Sequence, residues 1–578
     1  MIIRDLEKYE TEYFKNHNEQ ILPDLVATYY EQGKYDIVCY FAKKYKKEYS
    51  QFDFYYMMSL MELGYQNQAD ALYRLRGDDW FQECKRFKIH WSHVVLFALY
   101  FKEFKISDYY MDQFDLNYDY DLVQLLEYVI ENENEDITNH PLFNELAEKF
   151  PVLSRVWIKK GKKKREIKTF ETIQWNEWNK ENAIIGNGNR LGIEKVYQDS
   201  NIEIYSYKPK QVAASMHIIR DNSNVIILDC GCELTDSSVK RIPVEDILNL
   251  LKIDEVDAVF ISHAHMDHYG SLNELRGTTV YMTEQTKQLI RCVSSEVYLS
   301  KTKVVTEYST ISMSGIDIRF VPNGHIKGSC MLDINWKNLL RIVFTGDFSV
   351  ESQLTVDGFC VDDLLDYSSK RIDVLLTETT YGNRVDMFTL KQYEKIFLTL
   401  CKKYIESGNK IIIPCFAVGR AQEVALLLKD IVNEKGWRIL IDGLAAQLTD
   451  VYQSFLGEKQ KILSKNITVC HNELDYAEKI ENNEIILASS GMLKPGSTSA
   501  NYINKVIDRE GICVMKVGFI HESEHLLQSI IKRSNVNLSY VDLSLSAHVG
   551  YRDLINTIEK LSPNNVIYVH GAGITAIP

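Results

Sequence analysis

The sequence predicts an α/β fold that is preceded by an all-α N-terminal domain. From about residue 195 onward, short apolar runs alternate with segments of helical periodicity, which is typical of α/β proteins. Residues 1 to about 150, in contrast, contain no convincing strand pattern. With 578 residues, the chain is long enough to hold more than one domain, each with a large core.

The N-terminal part, residues 1–155, is predicted to be a helical domain of tetratricopeptide-like (TPR-like) repeats. The segments Tyr29–Asp36 and Leu60–Asn67 share a layout in which Gly33 and Gly64 take equivalent places. Their spacing is close to the ~34-residue period of tetratricopeptide helix pairs. A plain helical bundle is the alternative. With either architecture we expect this domain to bind a protein partner.

The composition is that of an ordinary globular protein, with 45% hydrophobic and 25% charged residues. No run of about 18 apolar residues is present, so the sequence predicts no membrane span. The segment Met1–Lys8 lacks the apolar core of a signal peptide. The eleven cysteines show no paired metal-type spacing, and Cys230 and Cys232 form the only tight pair. These features predict a reduced, cytoplasmic protein.

The charge pattern limits how the chain could bind nucleic acid. The net charge of −14 disfavours non-specific binding of nucleic acid by the whole surface. Positive charge is concentrated in residues 156–194, where Lys162, Lys163 and Lys164 stand side by side. Two interpretations of this stretch are open: a basic linker between domains, or a patch that contacts RNA.

The densest group of chemically active side chains directly follows a predicted strand. The apolar run Asp257–Ile261 is typical of a buried strand, and it leads into His263, His265, Asp267 and His268. Strand ends are the usual location of sites in α/β sheets. Imidazole and carboxylate groups together suit zinc or a similar divalent ion. The sequence therefore predicts a metal site here, against the alternative of solvated histidines in a surface loop.

Other apolar runs are followed in the same way by polar side chains that can ligate or titrate. These residues are Asp229, His325, Asp347, Glu378, His548 and His570. One buried His or Asp after a strand would be structural in most proteins. The repeated arrangement indicates instead that several strand ends converge on one site.

The order of the first of these residues resembles a known fold family. Asp229, the segment His263–His268, His325 and Asp347 together look like the metallo-β-lactamase fold, which is an αββα sandwich. That resemblance implies a hydrolase with metal ions at the edge of the sandwich.

Later motifs resemble one branch of that fold, the β-CASP nucleases. Glu378–Gly382, Ser546–His548 and Val569–Gly571 look like their motifs A, B and C. Pro414–Glu423 and Ala488–Leu493 resemble the β-CASP domain of the cleavage-and-polyadenylation nuclease subunit and its prokaryotic relatives. The resemblance implies a metallo-β-lactamase domain in residues 195–384, an inserted β-CASP α/β domain in 385–540, and a return segment in 541–578.

The resemblance also implies two zinc ions, with manganese as the alternative metal. One ion would take His263, His265, His325 and Asp347, and the other would take Asp267, His268, His570 and the shared Asp347. A single carboxylate can bridge two ions about 3.5–4 Å apart, and two-metal sites with that spacing suit phosphodiester displacement. A hydroxide that bridges the metals would be the nucleophile.

Further roles around the metals follow from the same resemblance. His548 would protonate the leaving oxygen with Glu378 orienting it, and imidazole suits that task near neutral pH. Asp267 would be catalytic as well as a ligand, and Asp229 would fix a ligand histidine. The candidate RNA contacts are Tyr381, Arg420 and Ser490, each with an alternative interpretation as a loop, hinge or helix-packing residue.

A histidine at motif C and a glutamate at motif A resemble the RNA-processing branch of the family. We therefore expect a zinc-dependent ribonuclease, endo or 5′-exo, that leaves 5′-phosphate and 3′-hydroxyl ends in RNA processing or decay. A DNA nuclease on the same scaffold and a catalytically idle scaffold protein are the alternatives. The expected interactions are an RNA substrate, a protein partner for the N-terminal domain, and a homodimer.

Overall fold

The computed structural model describes residues 6–63 and 191–573, leaving out short internal stretches and residues 519–537. The chain forms two compact units, Met1–Ile173 and Gln174–Pro578. Most of the predicted linker, including Lys162, Lys163 and Lys164, lies outside the described residues. No helix in the described part of the chain has the length and apolar character needed to cross a membrane.

The described part of the N-terminal unit is helical, which confirms the predicted all-α character. Its helices are α1 (Leu6–Glu10), α2 (Leu22–Glu31), α3 (Tyr35–Tyr45) and α4 (Phe52–Glu62), with a π turn at Thr11–Lys15 and a 3-10 turn at Glu19–Ile21. Gly33 has φ +69° between α2 and α3, a conformation that glycine adopts without strain. Gly64, on which the repeat prediction also depends, lies outside the described residues, so the TPR-like repeat stays a prediction.

The first layer of the larger unit is a seven-stranded sheet. In spatial order its strands are β1 (Ile193–Gln198), β2 (Glu203–Tyr207), β3 (His217–Arg220), β4 (Val225–Leu228), β7 (Ala258–Phe260), β8 (Thr279–Thr283) and β9 (Thr302–Val305). β5 (Cys232–Leu234) and β6 (Val239–Arg241) form a separate two-stranded ribbon. β1 begins at Ile193, just inside the predicted linker.

The second layer is a six-stranded sheet. In spatial order its strands are β10 (Thr310–Met313), β11 (Ile316–Pro322), β12 (Cys330–Trp336), β13 (Leu340–Phe344), β14 (Val374–Thr379) and β21 (Asn565–Gly571). β13, β14 and β21 are parallel neighbours. All six residues of β14 are buried, as expected for a parallel strand that is covered on both faces.

The two sheets pack face to face around one apolar core. Ile226 and Phe260 of the first sheet share this core with Ile318, Trp336 and Phe344 of the second. Because side chains alternate between the faces of a strand, Val343 points away from that core, and it packs with Leu554 of a helix. The helices of this part are α5 (Val244–Leu251), α6 (Met266–Tyr269), α7 (Glu284–Val293), α8 (Asp362–Leu365) and, from the return segment, α14 (Tyr551–Leu561).

An α/β insertion lies between the neighbouring strands β14 and β21. Its helices are α9 (Leu390–Glu406), α10 (Arg420–Lys435), α11 (Leu444–Ser454), α12 (Tyr476–Asn482) and α13 (Thr498–Val506). Its strands are β15 (Lys410–Pro414), β16 (Ile439–Asp442), β17 (Ile467–Val469), β18 (Ile485–Ala488), β19 (Ile512–Lys516) and β20 (Ser539–Asp542). They form one parallel sheet in the order β17-β16-β18-β15-β19-β20. The last strand continues to Asp542, past the predicted boundary at residue 540.

A buried ion pair lies at the end of β16 in this insertion. The Lys479 ammonium and the Tyr502 hydroxyl donate to Asp442 Oδ2, at 2.8 and 2.5 Å. The backbone N–H of Gly443 donates to the other carboxylate oxygen at 2.7 Å. Burial alone would raise the pKa of Asp442, but these donors lower it below its ordinary value. Lys479 and Tyr502 therefore tie α12 and α13 to the sheet.

We predict that Asp442→Asn destabilises the fold by about 3–5 kcal/mol near neutral pH, because it leaves the Lys479 ammonium buried without a counter-charge. The folded-state pKa of Asp442 is lowered, so its stabilisation is complete above the ordinary aspartate pKa of about 3.9 and is lost as the pH falls through the lower folded value. Urea denaturation at several pH values measures the difference.

Asp430→Asn, on the exposed side of α10, is the matched control and should change stability little at any pH. An Asp442→Asn variant as stable as the wild type at pH 7 would contradict this account.

Candidate metal centre

The candidate site lies where strands of both sheets end. Asp229 follows β4, and His263 to His268 follow β7, which runs parallel to β4. In the second sheet, His325 follows β11, Asp347 follows β13, and Glu378 and His570 lie at the ends of β14 and β21. Carboxyl ends of parallel strands meet at one edge of a sheet, and this is how residues far apart in sequence are brought together.

Three groups of potential metal ligands form at this edge, and the third overlaps the other two. One contains His263, His265, His325 and Asp347, a second contains Asp267, His268 and His570, and the third contains Asp347, Glu378 and His570; in each group the donor atoms lie within 4.8 Å of one another. Asp347 lies between the first two groups. Its Oδ2 is 3.7 Å from His263 Nε2 and 3.3 Å from His268 Nε2, and its Oδ1 is 3.6 Å from His570 Nδ1. This carboxylate could therefore contact cations on both sides.

The chemistry of the donors fits bound cations. His265 Nδ1 is 3.0 Å from His263 Nε2 and 3.1 Å from His325 Nε2, so three ring nitrogens converge on one point. Within the described part of the chain, the buried atoms His268 Nε2, His570 Nε2 and Asp347 Oδ1 lack a hydrogen-bond partner. Buried polar atoms are costly unless paired, and a metal ion supplies the missing partner. The fold and these donors are those of a divalent-metal site.

Outer hydrogen bonds fix the orientation of each ligand histidine. The longest is from His265 Nε2 to Val418 O of the insertion, at 3.4 Å. The other partners are Ser262 Oγ for His263 Nδ1 (3.0 Å), Asp229 Oδ2 for His268 Nδ1 (2.7 Å), Ala547 O for His325 Nδ1 (2.9 Å) and Thr380 Oγ1 for His570 Nδ1 (3.2 Å). An imidazole that donates from one nitrogen presents the lone pair of the other to a metal. The site is therefore set up for ligation on the inner nitrogens.

The charge states of His263, His325 and Asp347 suit metal binding directly, whereas His268 must release a proton when a cation binds. Burial, reinforced by neighbouring imidazoles, holds the pKa values of His263 and His325 well below the ordinary value, so both rings are neutral. Burial alone would raise the pKa of Asp347, but the surrounding histidines hold it well below its usual range. For His268, burial is outweighed by the carboxylates of Asp347 and Asp229, which raise its pKa. Neutral imidazoles and ionised carboxylates are the forms that bind metals.

His548 and Glu378 form a hydrogen-bonded pair beside the ligands. His548 Nδ1 donates to Glu378 Oε2 at 2.9 Å, and the other carboxylate oxygen accepts the Phe348 N–H at 2.6 Å. Burial of the imidazole is outweighed by Glu378 and Asp347, and these carboxylates raise the pKa of His548 to about 9. An imidazole with that pKa is protonated at neutral pH and can donate a proton.

The candidate RNA contacts Arg420, Tyr381 and Ser490 lie in different surroundings. Arg420 is buried and donates to Gln353 at 3.1 Å, which is the packing role that the sequence left open. Tyr381 is buried beside His548, with ring centroids 6.1 Å apart. Ser490 Oγ accepts the Met492 N–H at 3.0 Å within its own loop. The three lysines of the linker lie outside the described residues.

Several contributors to the site were not anticipated from the sequence. Ser262 directly precedes His263, and Thr380 stands two residues after Glu378, so nearness to predicted site residues was the available signal. The carbonyl groups of Val418 and Ala547 carry no such signal, because every residue has one.

Two family models match the chain. The metallo-beta-lactamase superfamily matches residues 210–283, which include the site motif after β7. The Beta-Casp domain matches residues 421–524, within the α/β insertion. The fold, the donor set and both matches define a metallo-β-lactamase-fold protein with a Beta-Casp domain.

Curated relatives agree with this class. "Probable RNase MJ4" of Methanocaldococcus jannaschii is 28% identical over 63% of this chain and 92% of its own length. "Cleavage and polyadenylation specificity factor 73" of Drosophila melanogaster is 26% identical over 64% of this chain and 60% of its own length. "Endoribonuclease YSH1" of Eremothecium gossypii is 25% identical over 62% of this chain and 53% of its own length. The match spans little more than half of each eukaryotic relative. The two domain matches and these relatives show that the chain is similar to the β-CASP nuclease family, which confirms the resemblance seen in the sequence.

We predict that Asp229→Asn lowers the affinity for divalent metal by roughly 10–100-fold, because His268 loses the carboxylate that orients it. Competition against a chromophoric zinc chelator measures the affinity. Asp246→Asn, an exposed substitution in the same domain, should leave it unchanged. Equal zinc affinity in the wild type and Asp229→Asn would show that Asp229 has no such role.

Proposed function

We propose that this protein is a two-zinc ribonuclease, with manganese as the alternative metal, which hydrolyses RNA during processing or decay. The observation that carries the proposal is the complete set of seven ligand residues together with the adjoining pair of Glu378 and His548. A catalytically idle scaffold protein would be expected to have lost some of them. The names of the relatives, which include two nucleases of RNA, favour RNA over DNA.

The proposed ligand sets share Asp347. One set is His263, His265, His325 and Asp347, and the other is Asp267, His268, His570 and Asp347. When bound, two divalent cations supply Lewis-acid activation of water and neutralise charge on the phosphate.

The chain's own residues would carry the proton transfers. Hydrolysis forms a bond from a water oxygen to phosphorus and breaks the bond from phosphorus to the 3′ oxygen. His548 gives a proton to that 3′ oxygen from Nε2, because Nδ1 is held by Glu378. Asp267 exposes 27% of its side chain, against 3% for Asp347, so it faces the open side and would accept the proton that water loses. The products are a 5′-phosphate and a 3′-hydroxyl.

The remaining regions would recruit the substrate and partners. The helical domain, residues 1–155, would bind a protein partner, and the basic stretch 156–194 would contact RNA. Tyr381 and Ser490 would meet RNA near the metals, whereas Arg420 would act through the packing described above. The domain boundaries 195–384, 385–540 and 541–578 belong to this proposal, as do a cytoplasmic location and a homodimer.

We predict that wild-type protein with zinc cleaves end-labelled single-stranded RNA, and that His265→Ala and Asp347→Ala abolish cleavage. The loss should exceed the roughly 10–100-fold that removal of an outer hydrogen-bond partner costs, because each change removes a ligand itself. Asp254→Ala, at an exposed position, is the control for folding and loading. Undiminished cleavage by both ligand variants would refute the proposal.

The same assay with circular RNA and with DNA defines the activity. Cleavage of the circle establishes endonuclease action, and release of mononucleotides from a 5′ end establishes exonuclease action. Faster cleavage of DNA than of RNA would replace the proposal with a DNA nuclease on the same scaffold.

We predict that His548→Ala lowers kcat for RNA by about 10²–10⁴-fold, the usual contribution of a positioned acid, while zinc content stays unchanged. The reason is that His548 lies outside both proposed ligand sets. Single-turnover kinetics and elemental analysis of the same samples separate chemistry from metal binding. A variant that loses zinc, or one that keeps the wild-type kcat, would contradict the role of His548 as the acid.

A further inference from the structure

We propose that Thr380 is a positioning residue. Through its hydroxyl, Glu378 orients the metal ligand His570, in addition to the acid His548, which Glu378 contacts directly. The inference rests on the proposed function in one respect, the assignment of His570 to the second ion. The feature that points to it is a series of hydrogen bonds through one buried hydroxyl, that of Thr380.

His570 occupies an unusual position in its strand. The pairing of β14 with β21 changes register between Glu378 and Thr379, so that His570 is an extra residue on β21. Its φ of +52° lies in the left-handed region, which is uncommon outside glycine. A bulge of this kind redirects a side chain, and here it points the imidazole at Asp267 and Asp347, at 3.4 and 3.6 Å. A ring held in a strained bulge needs an outside contact to fix its orientation.

Thr380 supplies that contact. Its hydroxyl oxygen lies 2.5 Å from Glu378 Oε2 and 3.2 Å from His570 Nδ1, and the side chain is buried. A carboxylate oxygen only accepts, so the single hydroxyl proton of Thr380 goes to Glu378. The threonine oxygen must then accept from His570 Nδ1–H. This places the lone pair of His570 on Nε2, the atom that faces Asp267.

Glu378 therefore sets the donor-to-acceptor direction of these hydrogen bonds, which run from His570 through Thr380 to its carboxylate. The same carboxylate oxygen accepts directly from His548 Nδ1 at 2.9 Å. One carboxylate thus fixes the orientation of two imidazole rings, that of His548 directly and that of His570 through Thr380.

The other half of the site contains an independent copy of this arrangement. Asp229 Oδ2 accepts directly from His268 at 2.7 Å and from the Ser262 hydroxyl at 3.0 Å, and Ser262 in turn contacts His263 Nδ1 at 3.0 Å. The pattern of carboxylate, hydroxyl and imidazole occurs on both sides of Asp347, which supports a role beyond local packing.

The test compares Thr380→Val, which keeps the shape and removes the hydroxyl, with Thr380→Ser, which keeps the hydroxyl. The probes are Zn²⁺ alone, titrated against a chelator, and Co²⁺ alone, followed by its d–d absorption spectrum. We expect Thr380→Val to weaken the second equivalent of zinc by roughly 10–100-fold, to leave the first within about threefold, and to change the Co²⁺ spectrum at the second equivalent. Thr380→Ser should restore both.

Thr377→Val is the matched control on β14, the strand that precedes Thr380, because the buried Thr377 hydroxyl donates to the adjacent Glu378 carbonyl, at 3.4 Å, rather than to its carboxylate. Thermal melting of the metal-free proteins checks that all variants fold. Wild-type affinity for the second zinc in Thr380→Val, or failure of Thr380→Ser to restore it, would overturn the proposal. Because metal binding is read without RNA, an absence of ribonuclease activity in the wild type would count against the proposed function and leave this result standing.

Discussion

The arrangement of the site depends on one buried carboxylate, that of Asp347. A buried anion is costly unless positive charge or hydrogen bonds surround it, and here imidazoles from four segments of the chain do so, the nearest with its Nε2 at 3.3 Å. The backbone must turn sharply to bring Asp347 there. Gly346 allows this with φ +53°, in a space where a Cβ would lie 3.0 Å from the Ser262 side chain. Asp347 therefore fixes where both ligand groups must converge, and the loops of both sheets are built around that point.

The inserted domain is part of this construction. Its helix α10 places Glu423 so that the carboxylate accepts the N–H groups of Leu354 and Thr355 at 2.6 and 2.9 Å. Gly419, at the start of that helix, approaches Ile326 so closely that a Cβ would lie 2.5 Å from the Ile326 side chain. Because Ile326 adjoins His325, a potential metal ligand, docking of the insertion and the shape of the loop that carries His325 depend on each other. The insertion thus both covers and shapes the metal centre.

The strands and the side chains at their ends could be predicted from the sequence, but the distant groups that orient those side chains could not. Buried strands and the dense motif from His263 to His268 depend on residues that are neighbours in the sequence. The α/β class was therefore predictable, and it is confirmed. The Ala547 carbonyl, which orients His325 from more than two hundred residues away, has no signal in the sequence. Arg420 is a second such case: the sequence offered it as a candidate RNA contact, but tertiary packing directs its side chain toward Gln353.

The hydrogen bonds of Glu378 change how substitutions at this residue should be interpreted. Its Oε2 accepts from both His548 and Thr380, and its Oε1 accepts the Phe348 N–H next to Asp347. Removal of the carboxylate would disturb the proposed acid His548, the proposed ligand His570 and the backbone beside Asp347 together. Effects of residues that act as a unit do not add, so a large loss in a Glu378 variant would not measure acid catalysis alone. Thr380 and His548 each take part in only one of these hydrogen bonds to Glu378. Separate substitutions of these two residues are therefore needed to distinguish an effect on metal binding from an effect on proton transfer.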